Sequence, residues 1–561
     1  MNNKINIYDQ SNKLRFAVMV NGNVLQKWQA ACIEELMKLD FVEPVLLIEQ
    51  KTEVVKKSFF KKTISYPWSI LLYRTYKRVH ALHWQAAQPL PVQLSTVQKL
   101  ECSVIKKGKY SEYFSVADIE KINAFKLDFI IRFGFNIIRG EILQTARYGV
   151  WSYHHGDEEK YRGGPPAFWE VHKNENVCGA ILQRLTDKLD GGIVLKKGYF
   201  GVTNHSYNTT LANIYNLSAP WIKQVCIDLQ NGVALYVNNP PSTTNAKVYT
   251  YPRNITMIGF GLRKIGRKIS FHFTDLFRPE SWSVGLIQNE TGFESGKKLS
   301  RQVKWFHHPS KKSYYADGFV TLFEQYNYLF VEEYDYSTGK GKITSVELES
   351  EKKQTLIEEK HHLSYPFSFK YANKIYILPE AAESGAITLY EVKPLSNSVE
   401  YKYVLLDNVK AYDPTLFKYN GKWWLFVTQK ETDSNTCLHI YHSNNLFGPY
   451  QPHFNNPVKT DIGSARPAGN IYCVNGIYYR PSQNCSRTYG GSVVINKINL
   501  LDEYSFNEER YDEIMPNQVH EKATGIHTLN TQSKLVAFDL KRPWFNWANF
   551  RNKLARKFRL K

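Results

Sequence analysis

YADGFVTLFEQYNYLFVEE, at Tyr315–Glu333, decides how the second half of this chain is read, because it comes back three times. Its counterparts are SYPFSFKYANKIYILPE at Ser364–Glu380, YDPTLFKYNGKWWLFVT at Tyr412–Thr428 and ARPAGNIYCVNGIYYRP at Ala465–Pro481. Each reads as a strand, a polar turn and a second aromatic strand. Gly318, Pro366, Pro414 and Pro467 occupy one repeat position, at intervals of 48, 48 and 53 residues. Fourteen residues beyond them stand Glu332, Glu380, Thr428 and Pro481. A repeat near 48 residues with about four strands in each is the spacing of propeller blades. A weaker start at Trp282, in SWSVGLI, supplies a fifth blade. A twisted sandwich is the alternative, which the fixed offset disfavours.

The repeat also predicts a site. Asp317, Tyr365, Asp413 and Arg466 are equivalent, at the start of each first long strand. Glu332 and Glu380 are equivalent at the end of the second strand. Positions of this kind ring the central funnel of a propeller. Carboxyl groups facing each other across a cleft are how glycosidic bonds are broken. Aromatic walls with carboxylates also suit sugar binding without catalysis.

The motifs YADGF, LFVEE, SYPF, YILPE, YDPTLF, LFGPY, ARPAG and RPSQNCS carry a resemblance over about residues 282–505. This half resembles the five-bladed propellers of glycoside hydrolase family 43. It is more similar still to the N-terminal region of glucosamine inositolphosphorylceramide transferase. The hydrolase resemblance implies Asp317 as base, Glu380 as acid and Asp413 as a positioning group, with Glu332 and Arg466 also facing substrate.

The first half has a different texture. LRFAVMV, PVLLIEQ, LDFIIRF, VWSYHH, AILQRLT and GGIVLKKGYF read as strands. Gln26–Leu39, GEILQTARYG and Pro166–Asn174 read as helices between them. This alternation predicts an α/β domain with a mostly parallel sheet over residues 1–235, broken by a basic insertion at about 51–110. Ligands on such sheets bind beyond the carboxyl ends of the strands, where the loops at 154–165 and 186–192 fall. Helical signal ends near Asn231. Residues 236–281 read as a connector, 282–520 as the all-β propeller and 521–561 as a basic amphipathic tail.

GVWSYHHGDEEKYRGGPPAFWEV and LQRLTDKLDGGIVL resemble the formyltransferase family, of the methionyl-tRNA and sugar N-formyltransferase type. His154 stands eight residues before Arg162–Gly163, and Asp190 in LDGG follows His154 by 36 residues, as in that family. The resemblance implies His154 at the oxyanion and Asp190 in proton transfer. It also implies 10-formyltetrahydrofolate as donor, with Arg162 and Gly163 on the cofactor side. Ser152 stands where the family has an Asn; a hydroxyl donates, with a shorter reach. The transfer needs a donor for the developing oxyanion and an acceptor for the amine proton, and no enzyme nucleophile.

A metal site is not expected. His154 and His155 are adjacent on a strand and point to opposite faces. The seven cysteines are odd in number and scattered without a CxxC pair, which argues against a disulfide framework and a zinc site. The start, MNNKINIYDQSNK, has no apolar core of a signal peptide, and a cytoplasmic protein is expected. The formal charge is +20, of which residues 51–80 carry +7 and residues 541–561 carry +8. Two local patches do not suit a protein that coats nucleic acid. Both are interleaved with aromatics, Phe59, Phe60, Tyr66, Trp68, Tyr73 and Tyr76 in the first. In the second, Trp547, Phe550, Leu554 and Phe558 share one helical face. Contact with the inner face of a membrane is one reading of these patches, and a helix docked on its own protein is the other.

The expected function is N-formylation or other acylation of an amino sugar, nucleotide- or lipid-linked, in cell-envelope glycan assembly, with the propeller holding the glycan. The alternatives are a glycan-processing enzyme with its chemistry in the propeller, and a non-catalytic glycan-binding protein.

Overall fold

The structure is a computed structural model. It describes residues 13–51, 68–79, 85–108, 110–288, 303–310, 312–323, 326–393, 398–542, 545 and 547–559. Two compact units are present, Met1–Arg267 and Lys268–Lys561.

The first unit is built on a seven-stranded sheet. Its strands are β1 (Leu14–Val20), β2 (Val42–Gln50), β3 (Gln98–Cys102), β4 (Phe129–Arg132), β5 (Val150–His154), β6 (Val177–Arg184) and β7 (Ile193–Gly201). They lie in the order β7-β6-β5-β4-β1-β2-β3. The first five in the chain run parallel, β6 pairs antiparallel with β5, and β7 pairs antiparallel with β6 and so regains the direction of the first five. The apolar runs read from the sequence therefore make the expected mostly parallel sheet. Continuous apolar strands such as β1 and β4 are buried on both faces.

Three details differ from expectation. The supposed insertion contains β3, an edge strand whose polar sequence, QKLEC, hid it among loops. GEILQTARYG is only a short 3-10 turn at Gly140–Gln144, because Gly140 and Gly149 both take left-handed backbone angles. Helix does not end near Asn231. Among the described residues, the helices longer than four residues are α1 (Lys27–Leu36), α2 (Leu71–Val79), α3 (Val116–Asn123), α4 (Phe168–Lys173), α5 (Tyr207–Ser218), α6 (Trp221–Gln230), α7 (Asn254–Phe277) and α8 (Trp547–Arg559). The 24-residue α7 lies inside the expected connector. Its three glycines lower its helical propensity on paper.

The second unit holds five antiparallel sheets, the blades of a propeller. Blade II comprises Ser313–Phe323, Tyr326–Asp335, Lys340–Glu347 and Lys353–Ile357. Blade III comprises Ser364–Tyr371, Lys374–Glu380, Ala386–Lys393 and Ser398–Asp407. Blade IV runs from Ala411–Tyr419 through Lys422–Gln429 to Cys437–Ser443, and blade V from Tyr472–Val474 to Phe506–Ile514. Blade I is assembled from both ends: Trp282–Gln288 and Lys304–Phe306 pair with Leu535–Lys541 and Leu529–Gln532. The expected tail is thus divided, since residues 529–541 are two strands of a blade and only α8 lies beyond them.

Apolar side chains fill the gaps between blades. Phe319, Tyr365, Phe367, Leu378, Leu416 and Leu425 form one cluster from three blades. Val284, Val320, Leu329 and Ala537 join blades I and II. Burying each such large side chain contributes about 1.5–3 kcal/mol. Blades IV and V are also tied by charge. The Glu508 carboxylate accepts two bonds from Arg480 (2.6 and 2.8 Å) and one from Lys459 (2.7 Å). Burial opposes its charged form, but those two cations win and hold it down at about 2.

The inner hairpins of blades III, IV and V turn through Ala372–Asn373, Asn420–Gly421 and Asn475–Gly476, with both residues left-handed. That is the turn that matches strand twist. Ala372 alone of these six has no polar side chain or missing Cβ to ease it. Ala372→Asn is expected to stabilise the propeller by about 1 kcal/mol, read as a raised urea midpoint. An unchanged midpoint would show that the turn is not strained.

Candidate functional site

The propeller's funnel gathers side chains from all five blades. In blades II, III and IV the first strand carries a bulge at the same place, between Ala316 and Phe319, Ser364 and Phe367, and Tyr412 and Thr415. At each bulge a non-glycine residue takes a left-handed conformation: Asp317 (φ 53°), Tyr365 (φ 44°) and Asp413 (φ 49°). A bulge re-aims a side chain, and strain of this kind marks working sites. The residue before each bulge pairs with the end of the second strand: Ala316 with Glu332, Ser364 with Glu380, Tyr412 with Thr428. The repeat positions read from the sequence are therefore structural positions. Blade V departs from them. Gln483, not Pro481, lies opposite Arg466 and donates its amide N–H to the Arg466 carbonyl at 2.8 Å.

A cavity of about 550 Å³ opens here. Asp317, Glu332, Glu380 and Arg466 line it, with Trp282, Tyr314, Tyr334, Tyr412, Tyr489 and His527. Asp413 stands behind Arg466, which donates to it from Nε (2.6 Å) and Nη2 (3.3 Å). Gln483 Nε2 also donates to Asp413, at 2.6 Å. Arg466 Nη2 reaches Glu380 Oε2 at 3.4 Å. Tyr365 is fully buried, trades a hydroxyl bond with Thr415 Oγ1 (2.9 Å) and packs in the core instead of facing the cavity.

His527 and Asp539 complete the site. Sequence reading placed both in the tail and missed them. His527 Nε2 is 3.2 Å from Asp317 Oδ1, and its Nδ1 is 2.6 Å from Asp539 Oδ2. The backbone N–H groups of His527 and Thr528 hold the other Asp539 oxygen at 3.0 and 3.1 Å. Trp282 stacks on His527 with centroids 3.8 Å apart. One signal could have found Asp539: it is an acid in an apolar strand, LVAFDL, on the second strand of its blade's inner hairpin, as Glu332 and Glu380 are in theirs.

Burial and close packing shift the acidities of Asp317, Glu332, Glu380 and Asp539. Burial, then the charges of Asp317 and Glu380, push Glu332 well above the usual carboxylate range. Burial and neighbouring Asp413 do the same to Glu380, against the pull of Arg466. Burial raises Asp317 to about 7, opposed by His527. Burial works against a charged His527, but Asp539 and Asp317 outweigh it and lift the imidazole to about 8. Carboxyls pushed above their usual range thus stand beside ion pairs of Asp413 with Arg466 and of Asp539 with His527. Among the described residues, Asp317, His527 and Asp539 have ligand atoms within 4.8 Å of one another, close enough to hold a metal ion. Here their ion pairs close the cluster.

The α/β unit brings its expected pair together as well. His154, at the end of β5, places Nδ1 3.7 Å from Asp190 Oδ1. Its Nε2 lies 2.9 Å from the Tyr161 carbonyl oxygen. A carbonyl only accepts, so Nε2 carries the proton and donates there. Gly163 N donates to Asp190 Oδ2 at 3.1 Å. A Cβ on Gly163 would lie 2.2 Å from the Tyr249 oxygen, so only glycine fits. Arg162 is spent on the Leu189 and Ala246 carbonyls. Ser152 does not join the pair. It is 2% exposed and accepts from the Arg132 guanidinium at 3.0 and 3.2 Å. His155 is buried among aromatic rings, and burial drops it to about 3.

The hollow lined by His154, Arg162 and Gly163 measures about 10 Å³. A drug-sized ligand needs several hundred. The residues present do not fit 10-formyltetrahydrofolate in that hollow. Glu170 lines it too, with burial raising its carboxyl to about 7, and sequence reading did not single it out.

The two basic patches fare differently. Lys56, Lys57, Phe59, Phe60, Lys61, Lys62 and Tyr66 lie outside the described residues, as does the Phe558 side chain. On α8, Phe550 stacks on Phe277 at 5.5 Å and Trp547 meets the same ring at 5.2 Å. The face expected to meet a membrane is partly taken by the protein itself. Among the described residues no helix is long and apolar enough to cross a membrane.

Residues 302–537, inside the propeller unit, match the family model for the N-terminal part of glucosamine inositolphosphorylceramide transferase 1. A stretch of 222 residues is 34% identical to that transferase from Oryza sativa subsp. japonica, covering 38% of this chain and 29% of the relative. This chain therefore spans under a third of that relative's length. Another 192-residue match is 27% identical to methionyl-tRNA formyltransferase from Prochlorococcus marinus (strain MIT 9215), covering 30% of this chain and 58% of that protein. Among solved structures, an exo-beta-1,3-galactanase from Clostridium thermocellum is similar with a TM-score of 0.30 and 13% identity, over 41% of this chain and 67% of that one. The C-terminal unit is a five-bladed propeller similar to the N-terminal domain of the plant transferases.

Arg466 is the countercharge on which the funnel relies. Arg466→Met is expected to lower the stability of the propeller by roughly 3–5 kcal/mol, the cost of breaking a buried ion pair. Urea unfolding measures it. A midpoint equal to that of the parent would mean Asp413 is neutralised by other means.

Proposed function

We propose that this protein processes glycans by acid–base chemistry at a glycosidic bond, and that the chemistry sits in the propeller funnel. The observation that carries this reading is the 550 Å³ cavity in which burial pushes the Glu380 and Glu332 carboxyls well above their usual range beside Asp317, at about 7. Glycosidic cleavage needs one carboxylic acid to protonate the departing oxygen and one carboxylate to assist the attacking group. Glu380 takes the first role and Asp317 the second, with water or a sugar hydroxyl as the attacking group. Asp413 positions Arg466, which in turn holds Glu380. The Trp282, Tyr314, Tyr334, Tyr412 and Tyr489 rings supply apolar walls for sugar faces. The match to the N-terminal part of glucosamine inositolphosphorylceramide transferase 1 supports a glycan or glycolipid substrate.

A second reading, acylation of an amine by the α/β unit, rests on the His154–Asp190 approach and the formyltransferase likeness. The small size of the hollow and the engaged Ser152 favour the funnel over it.

Hydrolysis of a panel of nitrophenyl glycosides tests the choice. Glu380→Gln is expected to lower turnover about 10²–10⁴-fold, the usual worth of a general acid, while Asp190→Asn leaves it unchanged. The reverse pattern would move the chemistry to the α/β unit, and no release from any glycoside would sink the hydrolytic form. Asp317 must be ionised to act, so turnover is expected to fall as pH drops through about 7. An acidic limb near pH 4 would remove Asp317 from the base role.

A further inference from the structure

The funnel leaves one surface of the α/β unit unexplained. Beside the first half of α7 lies the short segment that leads into α2. Asn254 Nδ2 donates to the Trp68 carbonyl at 2.9 Å, and Leu72 N donates to Asn254 Oδ1 at 3.0 Å. Tyr76 of α2 meets Phe260 of α7 edge-on, with centroids 5.9 Å apart. Met257 and Phe260 are buried on this inner side of α7.

The other side of α7 is bare. Ile255 (74%), Ile258 (53%), Leu262 (68%) and Ile265 (60%) are exposed, and their spacing of three and four residues puts them on one stripe. Trp68 (57%) and Leu72 (40%) extend the exposed apolar set from the neighbouring segment. Around it stand Arg74, Lys77, Arg78, Arg253, Arg263 and Lys264. Neither 68–79 nor 229–267 contains a single acid. Arg263 and Arg267 donate to His172 and to backbone carbonyls, and Lys264 sits over the Tyr76 ring. The His172 and backbone partners of Arg263 and Arg267 are neutral and leave those two charges in place.

Apolar stripes of this size are rarely left to water. A second copy of the same face would set cation against cation. A bilayer with anionic headgroups answers both features: the isoleucines enter the acyl boundary, the cations stay at the headgroups, and tryptophan prefers the interface. We propose that the face formed by α2 and the first half of α7 docks on an anionic membrane surface. This is a surface helix, not a span, and the inference does not rest on the chemistry assigned to the funnel.

Sedimentation of the full chain with vesicles tests it. Binding is expected to vesicles of phosphatidylcholine plus phosphatidylserine, not to phosphatidylcholine alone, and to weaken as salt rises. Ile258→Ser with Leu262→Ser and Ile265→Ser should cut the bound fraction about tenfold. Arg74→Glu with Lys77→Glu and Arg78→Glu should do so independently. Each site is exposed, so unfolding midpoints should match the parent. Vesicle binding that both variants retain, or no binding by the parent, overturns the proposal. A parent dimer that the serine variant splits, without lipid binding, makes the occupant a second copy and overturns it too.

Discussion

Five buried carboxyl groups share the axis of the propeller, and the guanidinium of Arg466 with the imidazole of His527 makes that tolerable. Two charges of one sign in a low-dielectric space repel far more strongly than in water. The cluster meets this in two ways at once. Some groups stay neutral, as burial dictates for Glu332 and Glu380. Others keep their charge beside a cation, as Asp539 does beside His527, which lowers it despite burial. A set of identical side chains thus separates into acids and bases by position alone. That separation is what catalysis at a glycosidic bond requires.

The positions come from a repeat. One bulge, recurring in three successive blades, turns Asp317, Tyr365 and Asp413 out of the regular alternation of their strands. Evolution of such a site needs no new backbone, only new side chains at an existing kink. Tyr365 illustrates the point, since the same kink there serves packing, through Thr415 and the core.

Most of this was legible in the sequence because the repeat is regular where the chain is aromatic. Blades II to IV and their acids were read by offset alone. Of blade I only the start at Trp282 was read, for its inner hairpin, Leu529–Gln532 and Leu535–Lys541, comes from far along the chain, is shorter and lacks the aromatic signature. His527 and Asp539 were hidden with it. In the α/β unit the approach of His154 to Asp190 was readable only through the resemblance to the formyltransferase family, whose spacing the two residues match. The closing of their hollow was not, because it depends on where the Tyr161 carbonyl falls, and no spacing rule fixes a loop carbonyl. The polar edge strand at Gln98–Cys102 and the glycine-bearing α7 were missed for a shared reason: local composition spoke for loop, and packing overruled it.

Blade I has a consequence for how the molecule comes into being. Its partners, Trp282–Gln288 and Leu535–Lys541, are separated by nearly the whole propeller sequence. A ribosome releases the earlier strand long before the later one, so four blades exist as an open arc while the ring waits. During that interval Asp317 lacks its imidazole and Trp282 has no ring to stack on. The acids of the funnel therefore acquire their final surroundings only once Leu535–Lys541 has been made and the circle has shut.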